Sequence, residues 1–173
     1  MKKDLHSEIS DKTAVIGIIG LGYVGLPLAV EFANNDFTVI GIDVNKARVD
    51  QLNRGDNYIG DVSDDNLKQL VSSKQISATT DFSALVNIDA VLICVPTPLN
   101  KLKDPDVSYI LNVLDQLTKY VHTDMLISLE STTYPGTTRE LILPALEKKN
   151  LTVGKDFYLC FSPGLLWLQD NFS

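Results

Sequence analysis

Gly20, Gly22 and Gly25 lie in the run Gly20-Leu-Gly-Tyr-Val-Gly25, directly after the apolar stretch Ala14 to Ile19, and Asp43 closes a second apolar run eighteen residues after Gly25. Glycines so spaced between a strand and a helix can cradle a pyrophosphate. Gly20 allows the tight turn, Gly22 lets the backbone approach the ligand, and Gly25 lets the helix pack closely on the strand, leaving free N–H groups at the helix N-terminus. An amphipathic pattern follows, Val24, Leu28 and Phe32 against Glu31, Asn34 and Asn35. That is the context such a motif needs, and it favours a dinucleotide site over a glycine turn that only packs a helix on a sheet. The carboxylate of Asp43 can accept both hydroxyls of an adenine ribose and would repel a 2'-phosphate, which favours NAD over NADP. Arg48, five residues on, reads equally as a partner near the adenosine, where it would slightly weaken the exclusion of NADP, and as a solvated helix charge.

Two further segments carry hydroxyls. Pro96-Thr97-Pro98-Leu99 is a rigid turn with one hydroxyl, and Glu130-Ser131-Thr132-Thr133-Tyr134-Pro135-Gly136-Thr137 crowds several together. Taken alone, the second cluster reads more readily as a helix cap than as a site, because Ser and Thr before a helix usually serve that role.

The elements that must position these groups alternate. Strands are expected at Ala14–Ile19, Thr38–Ile42, Ile76–Thr79, Ala90–Val95, Met125–Leu129 and Phe157–Phe161, mostly continuous apolar runs as befits burial on both faces. Helices are expected near Tyr23–Asn34, Lys46–Asn53, Asp64–Ser72, Phe82–Val86, Val107–Val121 and Thr138–Lys148. Ser63 and Asp81 suit N-caps, and Asp106 or Pro105 opens the long helix. This rhythm predicts an α/β, Rossmann-type doubly wound parallel sheet of about six strands, ordered 3-2-1-4-5-6, with helices on both faces. Ligands of such sheets lie beyond the carboxyl ends of the strands, where the glycine loop, Asp43, Thr97 and Thr132 all fall.

At 173 residues the chain is long enough for one domain with a sizeable core but short for a complete dinucleotide enzyme, which normally adds a substrate domain. A net charge of -7 argues against nucleic acid or an anionic membrane as partner. Residues 1–12 form a polar extension of mixed charge, without the apolar core of a secretory signal, and no stretch approaches the ~20 apolar residues of a membrane span. A cytoplasmic protein is expected, and the glycosylation sequons at Asn150 and Asn171 are chance matches. Cys94 and Cys160, 66 positions apart within apolar runs, read as buried strand residues in a reducing compartment, with neither a disulfide nor a metal site implied. His6 and His122 are expected on the surface.

Taken together, Gly20-Leu-Gly-Tyr23-Val-Gly-Leu-Pro27, Gly41-Ile-Asp43, Asn53-Arg-Gly55, Val95-Pro-Thr97-Pro98, Glu130-Ser-Thr132 with Pro135-Gly136, and Phe161-Ser-Pro163 resemble the N-terminal domain of the UDP-glucose/GDP-mannose dehydrogenases over about residues 13–163. Glu130-Ser-Thr with Tyr-Pro-Gly after it is most similar to the UDP-N-acetylhexosamine branch, which includes UDP-N-acetylglucosamine 6-dehydrogenases. The resemblance implies oxidation of a sugar C6 alcohol to a carboxylate in two NAD-dependent steps, with the aldehyde held on a cysteine, for surface polysaccharide precursors. It implies that Tyr23 and Val24 line the pyrophosphate and that Asp43 and Arg48 hold the adenosine end. It further implies that Thr97 and Thr132 approach the nicotinamide ribose, that Thr132 also positions a catalytic water, and that whole relatives form homodimers.

From Gly164 onward the family pattern stops, Gly164 standing where a catalytic glutamate is expected, and residues 164–173 read as a divergent tail. The catalytic cysteine, the central helix and the UDP-binding domain have no counterpart. Cys94 and Cys160 cannot replace that cysteine, having apolar neighbours and no activating base nearby in sequence. The expectation is a truncated dehydrogenase half, inactive alone, that meets a UDP-sugar only with the missing domain. Leu165 to Leu168 should then stay partly exposed. The alternatives are a stand-alone NAD-binding or regulatory module, and a relative of the 6-phosphogluconate and hydroxyisobutyrate dehydrogenases.

Overall fold

A computed structural model of the chain describes residues 4–98, 106–147 and 150–162. Six strands, β1 (Val15–Ile19), β2 (Thr38–Ile42), β3 (Ile76–Thr79), β4 (Ala90–Ile93), β5 (Met125–Leu129) and β6 (Phe157–Phe161), form one sheet in the order β3-β2-β1-β4-β5-β6. Every pairing is parallel. The order reverses between β1 and β4, so a crevice opens beyond their carboxyl ends, as the strand–helix rhythm required.

Among the described residues six α-helices accompany the sheet: α1 (Leu5–Ser10), α2 (Gly25–Asn34), α3 (Lys46–Asn53), α4 (Asp64–Ser72), α5 (Ser108–Tyr120) and α6 (Leu143–Glu147). Two cores result. On one face Leu26, Ala29 and Ala33 of α2 and Leu67 and Leu70 of α4 pack on Ile16, Ile18 and Val39. On the other, Ile110, Val113, Leu114 and Leu117 of α5 and Leu146 of α6 pack on Val91, Ile93, Ile127 and Leu129. The contiguous apolar strands are therefore covered on both sides, which is why their sequences do not alternate.

Capping follows local chemistry. Ser63 accepts from the Asn66 amide and Asp81 from the Ser83 amide, as expected. Asp106 accepts from the Ser108 amide at 2.9 Å, opening α5. Asn53, the last residue of α3, receives the Ala78 amide on its side-chain oxygen at 2.8 Å and donates its amide to the Ala78 carbonyl at 2.9 Å. It pairs with the outer edge of β3 as a further strand would.

Several expectations are corrected. β1 starts at Val15 rather than Ala14, and β4 ends at Ile93 rather than Val95. α2 starts at Gly25 rather than Tyr23, because Gly22 to Val24 are needed for the turn. The segment read as one helix from Thr138 begins as a π-turn, Thr138–Ile142, before α6. Pro144 has no N–H to give the Glu140 carbonyl, and the wider repeat precedes it. The polar extension contains α1, capped by Asp4 through the Ser7 amide at 2.9 Å and anchored by buried Leu5. Six residues are too few for periodicity to reveal. His122 is half-buried, its ring nitrogens 2.9 Å from the Thr123 carbonyl and 3.1 Å from that of Ile88.

Cys94 is buried as expected, but Cys160 is exposed. It lies on β6, at the edge of the sheet as described, where β5 is the ladder neighbour and Tyr158 and Phe161 are exposed too. Burial, and secondly the charge of Glu130, push the Cys94 thiol up to about 12. A maleimide at pH 8 should thus label Cys160 in the native chain and Cys94 only after unfolding, counted by mass spectrometry; two fast labels would contradict the burial. The same shift gives a sign for stability. The contribution is present below the unfolded thiol's ordinary value and is lost as pH rises through about 12, because the unfolded chain ionises first. The expected tail, residues 164–173, and Leu99 and Pro105 lie outside the described residues.

Candidate functional site: the cleft at the strand carboxyl ends

The glycine loop joins β1 to α2, and its three glycines differ in what they answer to. Gly20 has φ +93°, and a Cβ there would sit 2.7 Å from the Cys94 carbonyl oxygen. A Cβ on Gly25 would lie 1.8 Å from the Gly20 carbonyl oxygen. Both are demanded by the fold itself. Beside Gly22 a Cβ would meet nothing within 4 Å, because that side of the loop opens into the cleft. No described protein atom requires glycine there; close approach of a ligand would.

α2 opens at Val24 with no side-chain cap and no acidic residue in its first turn. The amides of Gly22, Tyr23 and Val24 donate to no acceptor among the described residues. Unsatisfied donors at a helix N-terminus carry the positive end of the helix dipole, so the loop presents an anion-binding surface. Tyr23, 72% exposed, stands at its rim.

Asp43, at the end of β2, is buried. One carboxylate oxygen accepts from the Leu21 amide at 2.8 Å and from the Arg48 guanidinium at 2.9 Å; the other accepts from the Asn45 amide at 2.8 Å. The carboxylate thus ties the glycine loop to the end of β2, and the oxygen facing Asn45 keeps a lone pair for a further donor. Arg48 is not a freely solvated charge, as one reading had it. It is fixed on Asp43, with its guanidinium carbon 5.8 Å from the centre of the Tyr58 ring.

The strand-end hydroxyls divide by task. Ser131 donates to the carbonyls of Ile93 and Val95, at 3.2 and 2.7 Å, stapling the end of β4 to that of β5. Thr133 and Thr137 bond each other at 2.9 Å, and Thr137 makes no side-chain cap bond. In place of the helix-cap reading, Ser131 staples two strand ends while Thr133 and Thr137 brace the turn locally, Thr137 donating to the Tyr134 carbonyl at 2.9 Å. Thr97 donates its hydroxyl to the Thr132 carbonyl, bringing the two turns together. The Thr132 side chain is exposed on the cleft wall, and its hydroxyl has no bond to any described residue.

All the site residues named from the sequence except Gly25 line this one cleft of about 1590 Å³, and Gly25 lies in the helix turn directly beneath it. Residues that the sequence reading missed line it too: Cys94, and Tyr109, Asn112, Gln116 and Tyr120 of α5. Their spacing of three and four puts them on one stripe of that helix, a signal available in the sequence but masked by the stronger apolar stripe of Ile110, Val113, Leu114 and Leu117. Among the described residues no group of His, Cys, Asp and Glu could hold a metal, and no helix is long and apolar enough to cross a membrane.

A parallel sheet with this strand order, a glycine turn facing an uncapped helix and an acidic residue ending β2 define a dinucleotide-binding Rossmann domain. The chain belongs to the UDP-glucose/GDP-mannose dehydrogenase family, whose NAD binding domain it matches over residues 14–168. It is 38% identical over 149 residues to Protein CapL of Staphylococcus aureus, covering 86% of this chain and 34% of that protein. To the UDP-N-acetyl-D-glucosamine 6-dehydrogenase of Pseudomonas aeruginosa it is 35% identical over 153 residues, covering 88% of this chain and 35% of the relative. Among solved structures it is similar to a ternary complex of GDP-mannose dehydrogenase from Pseudomonas aeruginosa, with TM-score 0.80 and 32% identity over 86% of this chain and 35% of that one. The UDP-N-acetyl-mannosamine dehydrogenase Cap5O of Staphylococcus aureus gives TM-score 0.79 and 29% identity over 87% of this chain and 37% of that one. The chain thus spans about a third of the length of these relatives. Its cofactor is NAD, and the open side of Gly22 and the free amides after it fit a pyrophosphate.

Proposed function

We propose that this chain is the NAD-binding part of a nucleotide-sugar dehydrogenase that oxidises the C6 alcohol of a UDP-N-acetylhexosamine to the carboxylate. The observation that carries the cofactor half of the reading is the loop from Gly22 to Val24, which offers three free amides beside a glycine that no described protein atom requires. The substrate half rests on relatives named as UDP-N-acetyl-D-glucosamine and UDP-N-acetyl-D-mannosamine dehydrogenases. In this reading the domain extends over residues 13–163.

Gly20, Gly22, Tyr23, Val24 and Gly25 form the pyrophosphate cradle, Asp43 and Arg48 the adenosine end, and Thr97 and Thr132 the nicotinamide ribose side. Bound NAD supplies the hydride acceptor. In this reading Thr132 orients a catalytic water, supported by its exposure on the cleft wall and by a hydroxyl that bonds no described residue, while Thr97 holds the turn that carries it. Strand-end hydroxyls suit such work because the sheet fixes them, and a reaction of this kind depends on fixed geometry. A cytoplasmic location and a homodimeric whole enzyme complete the proposal.

Arg48 favours NAD rather than weakening its selection, because its guanidinium is already paired with Asp43 instead of being free to meet a 2'-phosphate. The chain should therefore bind NAD at least about tenfold more tightly than NADP, the size of effect that one buried carboxylate near a phosphate can impose. Titration calorimetry with both cofactors tests this. Equal affinities would remove Asp43 from the adenine ribose.

A further inference from the structure

Tyr58 lies in the segment between α3 and α4 and is not among the residues lining the cleft. Its hydroxyl nevertheless donates to the Leu21 carbonyl at 3.0 Å, in the middle of the glycine loop. The amide of the same Leu21 is held by Asp43 at 2.8 Å, so this residue is gripped at both its backbone groups, at one end by a buried carboxylate and at the other by a phenol. Arg48 joins the two grips, bonding Asp43 at 2.9 Å while lying over the Tyr58 ring at 5.8 Å, within the range of a cation–π contact.

We propose that Tyr58 is a positioning residue for the cofactor, setting the backbone of the glycine loop through the Leu21 carbonyl so that the amides of Gly22, Tyr23 and Val24 point together into the cleft. This rests on the reading of that loop as the pyrophosphate site.

The physical need is specific. Gly22 has no side chain to restrain it, and a peptide beside a glycine can rotate unless something outside the loop holds it. Leu21 is the residue before it, and its side chain is fully buried. Its carbonyl belongs to the peptide that also carries the Gly22 amide, so a donor on that oxygen sets the direction of the N–H on the other side. Tyr58 can serve because it is itself fixed. Asn57 accepts from the Ile59 amide at 2.9 Å and donates to the Val62 carbonyl, and Ile59 and Val62, shortly after Tyr58, are buried anchors. Burial also pushes the Tyr58 phenol above its ordinary value, so it stays protonated, and a donor, at neutral pH.

The test is Tyr58→Phe in the full chain, which keeps the ring under Arg48 and removes only the oxygen. Losing one such bond lets the peptide leave the competent orientation, and apparent affinity falls with the competent fraction, by about three- to tenfold. Calorimetry should show that loss for NAD. Site-resolved amide exchange should show faster exchange at Leu21, whose amide bonds Asp43, with wild-type rates at Ile18 and Val91 in the core. Unchanged NAD affinity overturns the proposal, and so does a uniform acceleration of all amides, which would mean that Tyr58 contributes only general stability. Gly22→Val is run in parallel. If that variant binds NAD as tightly as wild type, the loop is not the pyrophosphate site and the role of Tyr58 falls with it, a failure distinct from an unaltered Tyr58→Phe.

Discussion

Gly25→Ala should cost the chain a large share of its stability, whereas Gly22→Ala should leave stability nearly untouched and remove NAD binding. The contrast follows from what each added methyl meets. At Gly25 it would lie 1.8 Å from the Gly20 carbonyl oxygen and 3.1 Å from the Ile18 side chain. The oxygen is backbone in the turn, and its peptide is held by the Leu21 amide's bond to the Asp43 carboxylate at 2.8 Å, so it cannot swing away as a side chain would. Overpacking a rigid site costs about 1–3 kcal/mol and sometimes more, and this one belongs at or above the top of that range. Against a domain stability of roughly 5–15 kcal/mol, the melting temperature should drop by many degrees. At Gly22 the methyl meets no protein atom, and the expected loss of stability is under about 1 kcal/mol. The same methyl would occupy the space in which a pyrophosphate must approach the free amides. Thermal denaturation and NAD calorimetry on both variants separate the effects. A Gly25→Ala chain as stable as wild type would mean that the helix can move off the strand, and a Gly22→Ala chain with full NAD affinity would put the phosphates elsewhere.

Asp43→Ala should fail in both respects at once. It strips acceptors from the amides of Leu21 and Asn45 and from the Arg48 guanidinium. Buried donors left unpaired cost about 1–3 kcal/mol each, but Arg48 is 36% exposed and can turn to water, so the sum should stay near 3 kcal/mol rather than the larger figure for a sealed ion pair. NAD affinity should fall by at least about tenfold and the gap between NAD and NADP should narrow, because the carboxylate that repels a 2'-phosphate is gone and Arg48 is released to meet one. Asp43→Asn separates the roles. It keeps an acceptor for one of the two amides, so it should recover part of the melting temperature while still narrowing the cofactor gap. An unchanged NAD to NADP ratio in both variants would assign Asp43 to the architecture of the loop alone.

The amino-acid sequence by itself determined the strand order, the position of the cleft and the glycine loop. These follow from short-range rules: apolar runs long enough for strands, helix-period segments between them, right-handed connections, and a glycine loop after the first strand that marks the dinucleotide-binding order. Ser63 and Asp81 were legible for the same reason, since a cap bonds an amide two or three residues away. Contacts between distant segments were not legible. Ser131 and Thr133 looked like cap residues until the register of β4 and β5 put the Ile93 and Val95 carbonyls beside Ser131. Cys160 sits in an apolar run like that of Cys94, and only its place on the sheet edge exposes it. Arg48 left two readings open because its side chain meets Asp43 only once the turn from β2 into α3 has closed around that carboxylate. Tyr58 carries no motif at all; its hydroxyl meets a carbonyl 37 residues away in sequence. Periodicity and spacing encode what a segment does within itself, whereas the partner of a hydroxyl or a guanidinium is selected by the three-dimensional closure of the chain.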